Sequence, residues 1–399
     1  MSESTATAID NITKRILESQ VDTPTGIGWL SFDSAAHGHP GGRPILRAEP
    51  GIYSGRLGVL LYLSAVDVVD GPWTSSMEGT GELLDNTGLK ADTEQYTRRI
   101  GVGMADGIGS VIYGLSVLAE LTDDTSHLQP ARDIANAFGR ERIESTTSAD
   151  VLLGLAGTVH GLCKLYETDG CEIGLDRAVA CGERLLDMRK PKWGTMVWDT
   201  HFGSVSSCST GMGHGAAGIA HALYRLYGHT GRTAFRDAAD DVLQFERSFY
   251  APERHNWRAN WSNIRDFCNW WCYGTPGIGL ARIGSVAGHP ADHLRADISR
   301  AAEYTPRLGE RDALCHGTFA QIALLTELGR ERDSRFHDTA EELAEQAIER
   351  SRSEGGYRVV CGSTQSVVNP SLFLGVAGVG YTLLRLFAPE KLPSVTRFE

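Results

Sequence analysis

Long hydrophobic runs are missing from this 399-residue chain, and none approaches the about 20 apolar residues that a membrane-spanning helix needs. The first residues, Met1 to Thr5, are polar and acidic and lack the apolar core of a secretory signal. Basic residues are also in the minority, since 38 Lys and Arg stand against 50 Asp and Glu, a net charge of −12. This balance argues against a basic face for nucleic acid. We therefore expect a cytoplasmic globular protein that has no membrane span and no nucleic-acid partner.

Cysteine and glycine are better represented. An even number of cysteines, here eight, would indicate disulfides in a short secreted protein, but in a long chain without a signal it favours reduced thiols or metal ligands. Glycine supplies 46 of the 399 residues, above the usual share of about 7%. The excess is concentrated in a repeated element.

This Gly-x-x-Gly-like element recurs seven times, and an apolar run follows each copy. The first glycines of the copies are Gly55, Gly107, Gly154, Gly215, Gly274, Gly317 and Gly375. The second copy is one residue shorter, and the sixth has Ala320 in place of its second glycine. Each interval is long enough for two helices and two loops, so the sequence predicts a helical repeat protein.

The segments after the glycines read as helices that are buried on several sides, as in Val59–Val66, Ile219–Leu226 and Val379–Leu386. Amphipathic segments such as Leu175–Met188, Arg232–Tyr250 and Asp338–Ser351 lie between them. Seven such hairpins can close into an all-α fold, an α/α toroid with a double ring of seven inner and seven outer helices. We predict a single domain over residues 1–399, with an N-terminal helix and loop at 1–50 and a flexible insertion at 71–92.

Three adjacent copies carry chemically reactive residues just before the first glycine: His214, then Cys272-Tyr273, then Cys315-His316. In a toroid these positions lie at one end of the ring, near its axis. Two thiolates and an imidazole suit zinc, which prefers four S and N ligands. Cys272, Cys315 and His316 would leave the fourth position open, as in catalytic zinc sites. Cys268 lies outside this register, so we expect it not to be a ligand.

Other residues near the glycines have two interpretations. His214 is the candidate general acid/base, because the imidazole pKa lies near neutrality. Asp150 could cap its helix or take part in catalysis, and Tyr273 could hydrogen-bond a substrate or simply pack. Arg265 could bind an acidic group or be an ordinary surface residue. By contrast, His160 and His221 lie inside apolar helices and are expected to be core histidines.

Three motifs resemble those of the lanthionine cyclase family: Gly213–Gly218, Trp271–Gly274 and Leu314–Gly317. The resemblance extends from about Gly51 to Ser394. Further stretches look closest to the C-terminal cyclase domain of class II lanthipeptide synthetases, namely Asp150–Gly157, His214–Leu226 and Pro370–Tyr381. Tyr273 instead is similar to the stand-alone cyclases.

The resemblance implies an α/α toroid with one zinc ion. It implies that a peptide Cys thiol adds to dehydroalanine or dehydrobutyrine within the same peptide, giving lanthionine or methyllanthionine. Cys272, Cys315 and His316 would be the zinc ligands and His214 the acid/base, with Asp150, Tyr273 and Arg265 as further site residues. The implied partners are a dehydrated precursor peptide and a separate dehydratase. Two other classes stay open: another α/α-barrel enzyme, such as a zinc-thiol prenyltransferase or a glycosidase, and a non-catalytic peptide-binding toroid.

Overall fold

The computed structural model describes residues 2–23, 26–31, 46–47, 50–69, 71, 73, 97, 99–202, 205–259, 267–359 and 368–399. Much of the loop expected within residues 1–50, most of the insertion expected at 71–92, and Arg265 fall outside these residues. Fourteen α-helices lie in the described part: α1 (Glu3–Glu18), α2 (Arg56–Val68), α3 (Ile108–Thr122), α4 (Leu128–Ala137), α5 (Arg140–Ser145), α6 (Leu155–Asp169), α7 (Glu172–Asp187), α8 (Ala216–Thr230), α9 (Thr233–Arg247), α10 (Thr275–Gly288), α11 (Asp292–Ala302), α12 (Thr318–Glu331), α13 (Arg335–Glu354) and α14 (Val376–Phe387).

The strands of the described residues are short and pair only as two-stranded antiparallel ribbons. They are β1 (Val21–Thr23) with β2 (Gly26–Gly28), β3 (Leu30–Ser31) with β4 (Leu46–Arg47), β5 (Lys190–Lys192) with β6 (Thr195–Val197), β7 (Thr200–Phe202) with β8 (Val205–Ser207), and β9 (Tyr250–Ala251) with β10 (Asn256–Trp257). No helix of the described chain combines the length and apolar character needed to cross a membrane.

Every apolar helix that follows a glycine element begins at the residue after the first glycine. These seven inner helices are α2, α3, α6, α8, α10, α12 and α14. Glycine is needed there because the preceding loop folds back against the helix start. A Cβ on Gly215 would lie 2.2 Å from the carbonyl oxygen of Thr210, and one on Gly218 would lie 2.0 Å from that of Met212. The element predicted from the sequence is therefore a helix-initiating turn.

The inner helices are buried around most of their circumference. In α2 every residue from Arg56 to Val66 is buried, whereas α9 buries only one face, with Phe235, Ala238, Ala239 and Val242 among its buried residues. This contrast is the one expected for inner and outer helices of paired layers.

The chain divides into two compact units. Unit 1 comprises Met1–Tyr96, Gly114–Pro130 and Arg307–Ser394, and unit 2 comprises Thr97–Tyr113, Ala131–Pro306 and Val395–Glu399. The single domain over residues 1–399 stays a prediction.

Each unit pairs inner with outer helices. In unit 1, α12 packs against α13, α14 packs against both α2 and α12, and α1 covers α14 and α13. In unit 2, the hairpins α6–α7, α8–α9 and α10–α11 stand side by side through contacts of α8 with α6 and α10. The N-terminal segment therefore forms an outer helix of unit 1.

Backbone hydrogen bonds join consecutive glycine loops in unit 2. They connect residues two positions before each first glycine, which we call the ladder position. The Ala105 N–H donates to the Leu152 carbonyl (2.8 Å), the Leu152 N–H to Gly213 (3.1 Å), and the Gly213 N–H to Cys272 (3.2 Å). The ladder fixes these loops in a common register.

Unit 1 contains the same ladder. The Cys315 N–H donates to the Phe373 carbonyl (2.9 Å), and the Phe373 N–H donates to the Tyr53 carbonyl (3.0 Å). All three residues again stand two positions before a first glycine. The repeat predicted from the sequence thus corresponds to a repeated hydrogen-bonding position.

Candidate functional site

The loop before α10 carries Cys272, whose side chain is buried. Gly274 adopts a φ of +95°, a left-handed conformation that favours glycine. Asn256 fixes the loop from the side: its Oδ1 accepts from the Thr275 N–H (2.9 Å) and its Nδ2 donates to the Cys268 carbonyl (3.1 Å). Cys272 is therefore held by backbone conformation and by a buried amide.

The loop before α12 carries Cys315 and His316 in consecutive positions. Cys315 is fully buried and His316 is partly exposed. The distance from Cys315 Sγ to His316 Nε2 is 3.8 Å. The buried Asp312 anchors this loop, since it accepts from the Arg358 N–H at 2.9 Å and pairs with the Arg350 guanidinium. Burial nevertheless raises the pKa of Asp312 above its ordinary value.

The potential ligand atoms of Cys272, Cys315 and His316 all lie within 4.8 Å of one another. This group could bind a metal ion. Its donors are two sulfurs and one imidazole nitrogen with no carboxylate, a soft set that suits zinc and does not suit calcium or magnesium. Cys268 is not part of the group, although its carbonyl lies in the same loop as Cys272.

Within unit 2, the loop before α8 places His214 beside Asp150. His214 Nδ1 lies 2.8 Å from Asp150 Oδ2, and both side chains are buried. The second carboxylate oxygen, Oδ1, accepts from the Leu153 N–H at 2.6 Å. One oxygen of Asp150 therefore closes the turn before α6, and the other contacts the imidazole of His214. Such a carboxylate orients a histidine ring and selects its tautomer.

Tyr273 lies in the same part of unit 2. Its ring centroid is 5.9 Å from that of His214, with an interplanar angle of 31°, and the side chain is buried. Because Tyr273 follows Cys272 directly, the acid/base candidate and one candidate ligand share a neighbourhood. Arg265 lies outside the described residues.

His160 and His221 have different surroundings. Their rings lie 4.5 Å apart in the interior of α6 and α8. Burial lowers the pKa of His221 to about 3, with Arg225 and Arg397 contributing, and burial also places the pKa of His160 well below its ordinary value. Both rings are buried in the core, as predicted from the sequence, although His160 Nε2 and His221 Nδ1 have no hydrogen-bond partner among the described residues.

The structure adds one residue that the sequence did not single out. Tyr53 donates its phenol O–H to Cys315 Sγ at 3.0 Å. It occupies the ladder position of the first repeat, which Cys272 and Cys315 occupy in the fifth and sixth. Comparing residues two positions before the glycines, as well as one, would have identified it.

Comparison with known proteins relates this chain to one family and to one solved cyclase structure. The sequence model of the family described as "Lanthionine synthetase C-like protein" matches residues 47–397. No curated protein sequence matches the chain. Among solved structures, nisin cyclase superposes with a TM-score of 0.60 at 16% identity, covering 86% of this chain and 89% of that one.

Two sugar-active enzymes share the fold more distantly. An unsaturated glucuronyl hydrolase from Bacillus sp. GL1 has a TM-score of 0.51 at 14% identity, covering 84% of this chain and 96% of its own. A sugar epimerase from a ruminal bacterium has a TM-score of 0.50 at 10% identity, covering 70% and 86%. At such low identities the structural matches establish only the fold, an all-α α/α toroid. The family model establishes the family. The chain belongs to the lanthionine synthetase C-like family.

Proposed function

We propose that the protein is a zinc-dependent lanthipeptide cyclase, an enzyme that closes thioether rings in a dehydrated precursor peptide. The observation that carries the proposal is the grouping of Cys272, Cys315 and His316 in a chain of this family. Three protein ligands leave one zinc position open for a substrate thiol, the arrangement typical of catalytic sites. When bound, zinc supplies the Lewis acidity that makes a coordinated thiol a thiolate at neutral pH.

Ring closure forms a C–S bond at the β-carbon of the dehydroamino acid, breaks its carbon–carbon π bond, and delivers a proton to the α-carbon. We assign that proton transfer to His214. Asp150 Oδ2 lies 2.8 Å from Nδ1 of the imidazole. The carboxylate would hold the ring so that Nε2, the other ring nitrogen, is directed away from it. Asp150 would also stabilise the charged imidazolium.

Negative charge develops on the neighbouring carbonyl oxygen during the addition. The helices α6, α8 and α10 of unit 2 begin directly after the loops that carry these residues. The N-terminal end of a helix bears a partial positive charge and favours an anion by about 0.3–1 kcal/mol. The N-terminal ends of these helices would therefore favour the enolate. Tyr273, which follows Cys272, is a candidate substrate contact.

A glycosidase function on the same fold is less well supported. Glycoside hydrolysis ordinarily needs two carboxyl groups across the scissile bond. In the glycine loops of unit 2, Asp150 has one oxygen on the Leu153 N–H and the other on His214. A zinc-thiol prenyltransferase and a non-catalytic peptide-binding toroid would both use the metal group, so they must be separated by experiment.

We propose that the substrate is a precursor peptide dehydrated by a separate dehydratase, and that the chain resembles the cyclase domain of class II synthetases. The seven cysteines in the described residues are not joined by disulfides, which accords with a reducing cytoplasm.

Incubation of the zinc-loaded protein with a peptide that contains one Cys and one dehydroalanine tests the proposal. Cyclisation does not change mass, so the remaining thiol is counted by N-ethylmaleimide labelling and mass spectrometry. We expect the label to disappear with time. It should persist in a control peptide with Ser in place of dehydroalanine.

A peptide that keeps its thiol in the presence of fully zinc-loaded protein would contradict the cyclase assignment. Transfer of an isoprenyl group from an isoprenyl diphosphate to the same thiol would favour the prenyltransferase instead. Binding of the peptide with neither reaction would favour the non-catalytic toroid.

A further inference from the structure

Cys315 receives a hydrogen bond from a buried phenol within unit 1. The Tyr53 O–H donates to Cys315 Sγ at 3.0 Å, and both side chains are almost inaccessible, with relative exposures of 4% and 0%. A hydrogen bond to an ionised sulfur in a buried site is stronger than one between neutral groups.

The position of this phenol is fixed by three further contacts. Its ring stacks on Phe373, with centroids 5.1 Å apart and an interplanar angle of 15°. Phe373 in turn donates its N–H to the Tyr53 carbonyl (3.0 Å) and accepts from the Cys315 N–H (2.9 Å). Tyr53, Phe373 and Cys315 therefore form a closed set of contacts, in which the ladder and the stacked ring aim the hydroxyl at the sulfur.

We infer that Tyr53 is a positioning residue of the metal centre, which keeps Cys315 as a ligand and prevents it from acting as a nucleophile. The inference rests on the proposed zinc site. During ring closure the site would hold the substrate sulfur beside the sulfurs of its own ligands, with an electrophilic dehydroamino acid nearby. Attack by Cys315 would form a C–S bond at the β-carbon, send a proton to the α-carbon, and leave the peptide attached to the enzyme.

A hydrogen bond occupies a sulfur lone pair and draws off part of its negative charge, so it reduces the reactivity of that sulfur toward an electrophile. The same bond orients the ligand, and outer contacts of this kind typically change metal affinity by about 10- to 100-fold. Tyr53 would thus help to retain the metal. It would also help to ensure that the substrate sulfur, and not Cys315, attacks the dehydroamino acid.

The test is Tyr53→Phe, which keeps the stacked ring and removes only the hydroxyl. Tyr62→Phe is the matched control, because Tyr62 is also buried in unit 1 and its hydroxyl bonds Thr13 Oγ1 at 2.8 Å. Zinc affinity is measured by competition with a chromogenic chelator. We expect about 10- to 100-fold weaker binding in Tyr53→Phe and no comparable change in Tyr62→Phe.

Two further readouts report the sulfur directly. In the cobalt-substituted protein, the sulfur-to-metal charge-transfer band should shift in Tyr53→Phe only. When both proteins are loaded with zinc, iodoacetamide should label Cys315 several-fold faster in Tyr53→Phe than in the parent, as measured by peptide mapping.

Unchanged affinity, charge-transfer band and labelling rate in Tyr53→Phe would reduce Tyr53 to a packing residue while leaving the zinc site intact. A parent protein that binds no zinc would overturn the proposed function together with this inference, so the two failures are distinguishable. If Tyr53→Phe does not fold, 3-fluorotyrosine incorporated at position 53 gives a test of opposite sign. Its stronger O–H donor should slow the labelling of Cys315, and an equal or faster rate would contradict the inference.

Discussion

The glycine loops and the interiors of the inner helices hold the same kinds of reactive side chain in different surroundings. In the loops, Cys272 and Cys315 approach His316 within 4.8 Å, and His214 contacts a carboxylate. In the interior of α6, burial raises the pKa of Cys163 to about 12. The interior histidine His221 has its pKa lowered by burial. The difference indicates that position relative to the glycine, more than residue type, decides whether such a side chain joins the candidate site or packs in the core.

The largest expected effect comes from removing a sulfur from a loop. Cys272→Ala and Cys315→Ala should each reduce zinc from about one per chain to nearly none, because each removes one of three protein ligands, and ring closure should be lost with the metal. Cys163→Ala is the interior control, which should keep its zinc and lose about 1 kcal/mol of stability. Metal analysis and urea unfolding measure the two quantities, and full zinc in both loop variants would remove the site as assigned.

His214→Asn tests the acid/base half of the comparison. The change keeps polarity and approximate size, so fold, zinc content and peptide affinity should survive. The rate of thiol loss in the dehydrated peptide should fall by about 10²–10⁴-fold, because the placed proton donor is gone.

Zinc is measured on the same batch of His214→Asn. Ring closure at the parent rate would reduce His214 to a loop residue and direct attention to Tyr273. Loss of zinc would instead place His214 in the metal shell and reopen the assignment of His316.

The interior histidines should act on stability through pH. Burial lowers the pKa of His221 to about 3, whereas an unfolded histidine titrates near 6.5. Between these values the unfolded chain binds more protons. The stability contribution is therefore fully present above about pH 6.5 and is lost as the pH falls toward 3, by up to about 1.4 kcal/mol per pH unit.

Urea unfolding at several pH values between these limits checks this expectation. In His221→Gln the dependence of unfolding free energy on pH should decrease by about one proton. An unchanged slope would mean that His221 is protonated or solvated in the native state, and the contrast with the loop histidine would fail.

The smallest expected effect sharpens the comparison inside one loop. Cys268 is a buried cysteine four residues before Cys272, outside the ladder position and the metal group. Cys268→Ser should keep the parent zinc content. Metal loss in this variant would indicate a site with three cysteines and one histidine, which is characteristic of structural zinc.

Most of the fold follows from the sequence because its cause is local. An inner helix begins where a glycine permits close approach of the preceding loop, and the apolar run after it predicts burial, as in α8. The register also predicted which cysteines and histidine would be grouped, since repetition converts distant sequence positions into equivalent ones.

The contacts of individual atoms could not be predicted in this way. Asp150 and His214 are separated by 64 residues, and Tyr53 and Cys315 by 262. Their distances depend on how far the ladder brings one loop toward the next and on the side-chain rotamers there. A pattern read along the chain contains neither quantity.

The backbone ladder determines which changes of sequence the glycine loops can accept. Its bonds in both units use only backbone N–H and carbonyl groups, which every residue except proline supplies in full. Alanine, leucine, glycine, cysteine, phenylalanine and tyrosine all occur at ladder positions in this one chain. New chemistry can therefore arise by a single substitution at a ladder position, because the backbone geometry there does not depend on the side chain. An insertion or deletion between the ladder position and its glycine would misalign the whole loop.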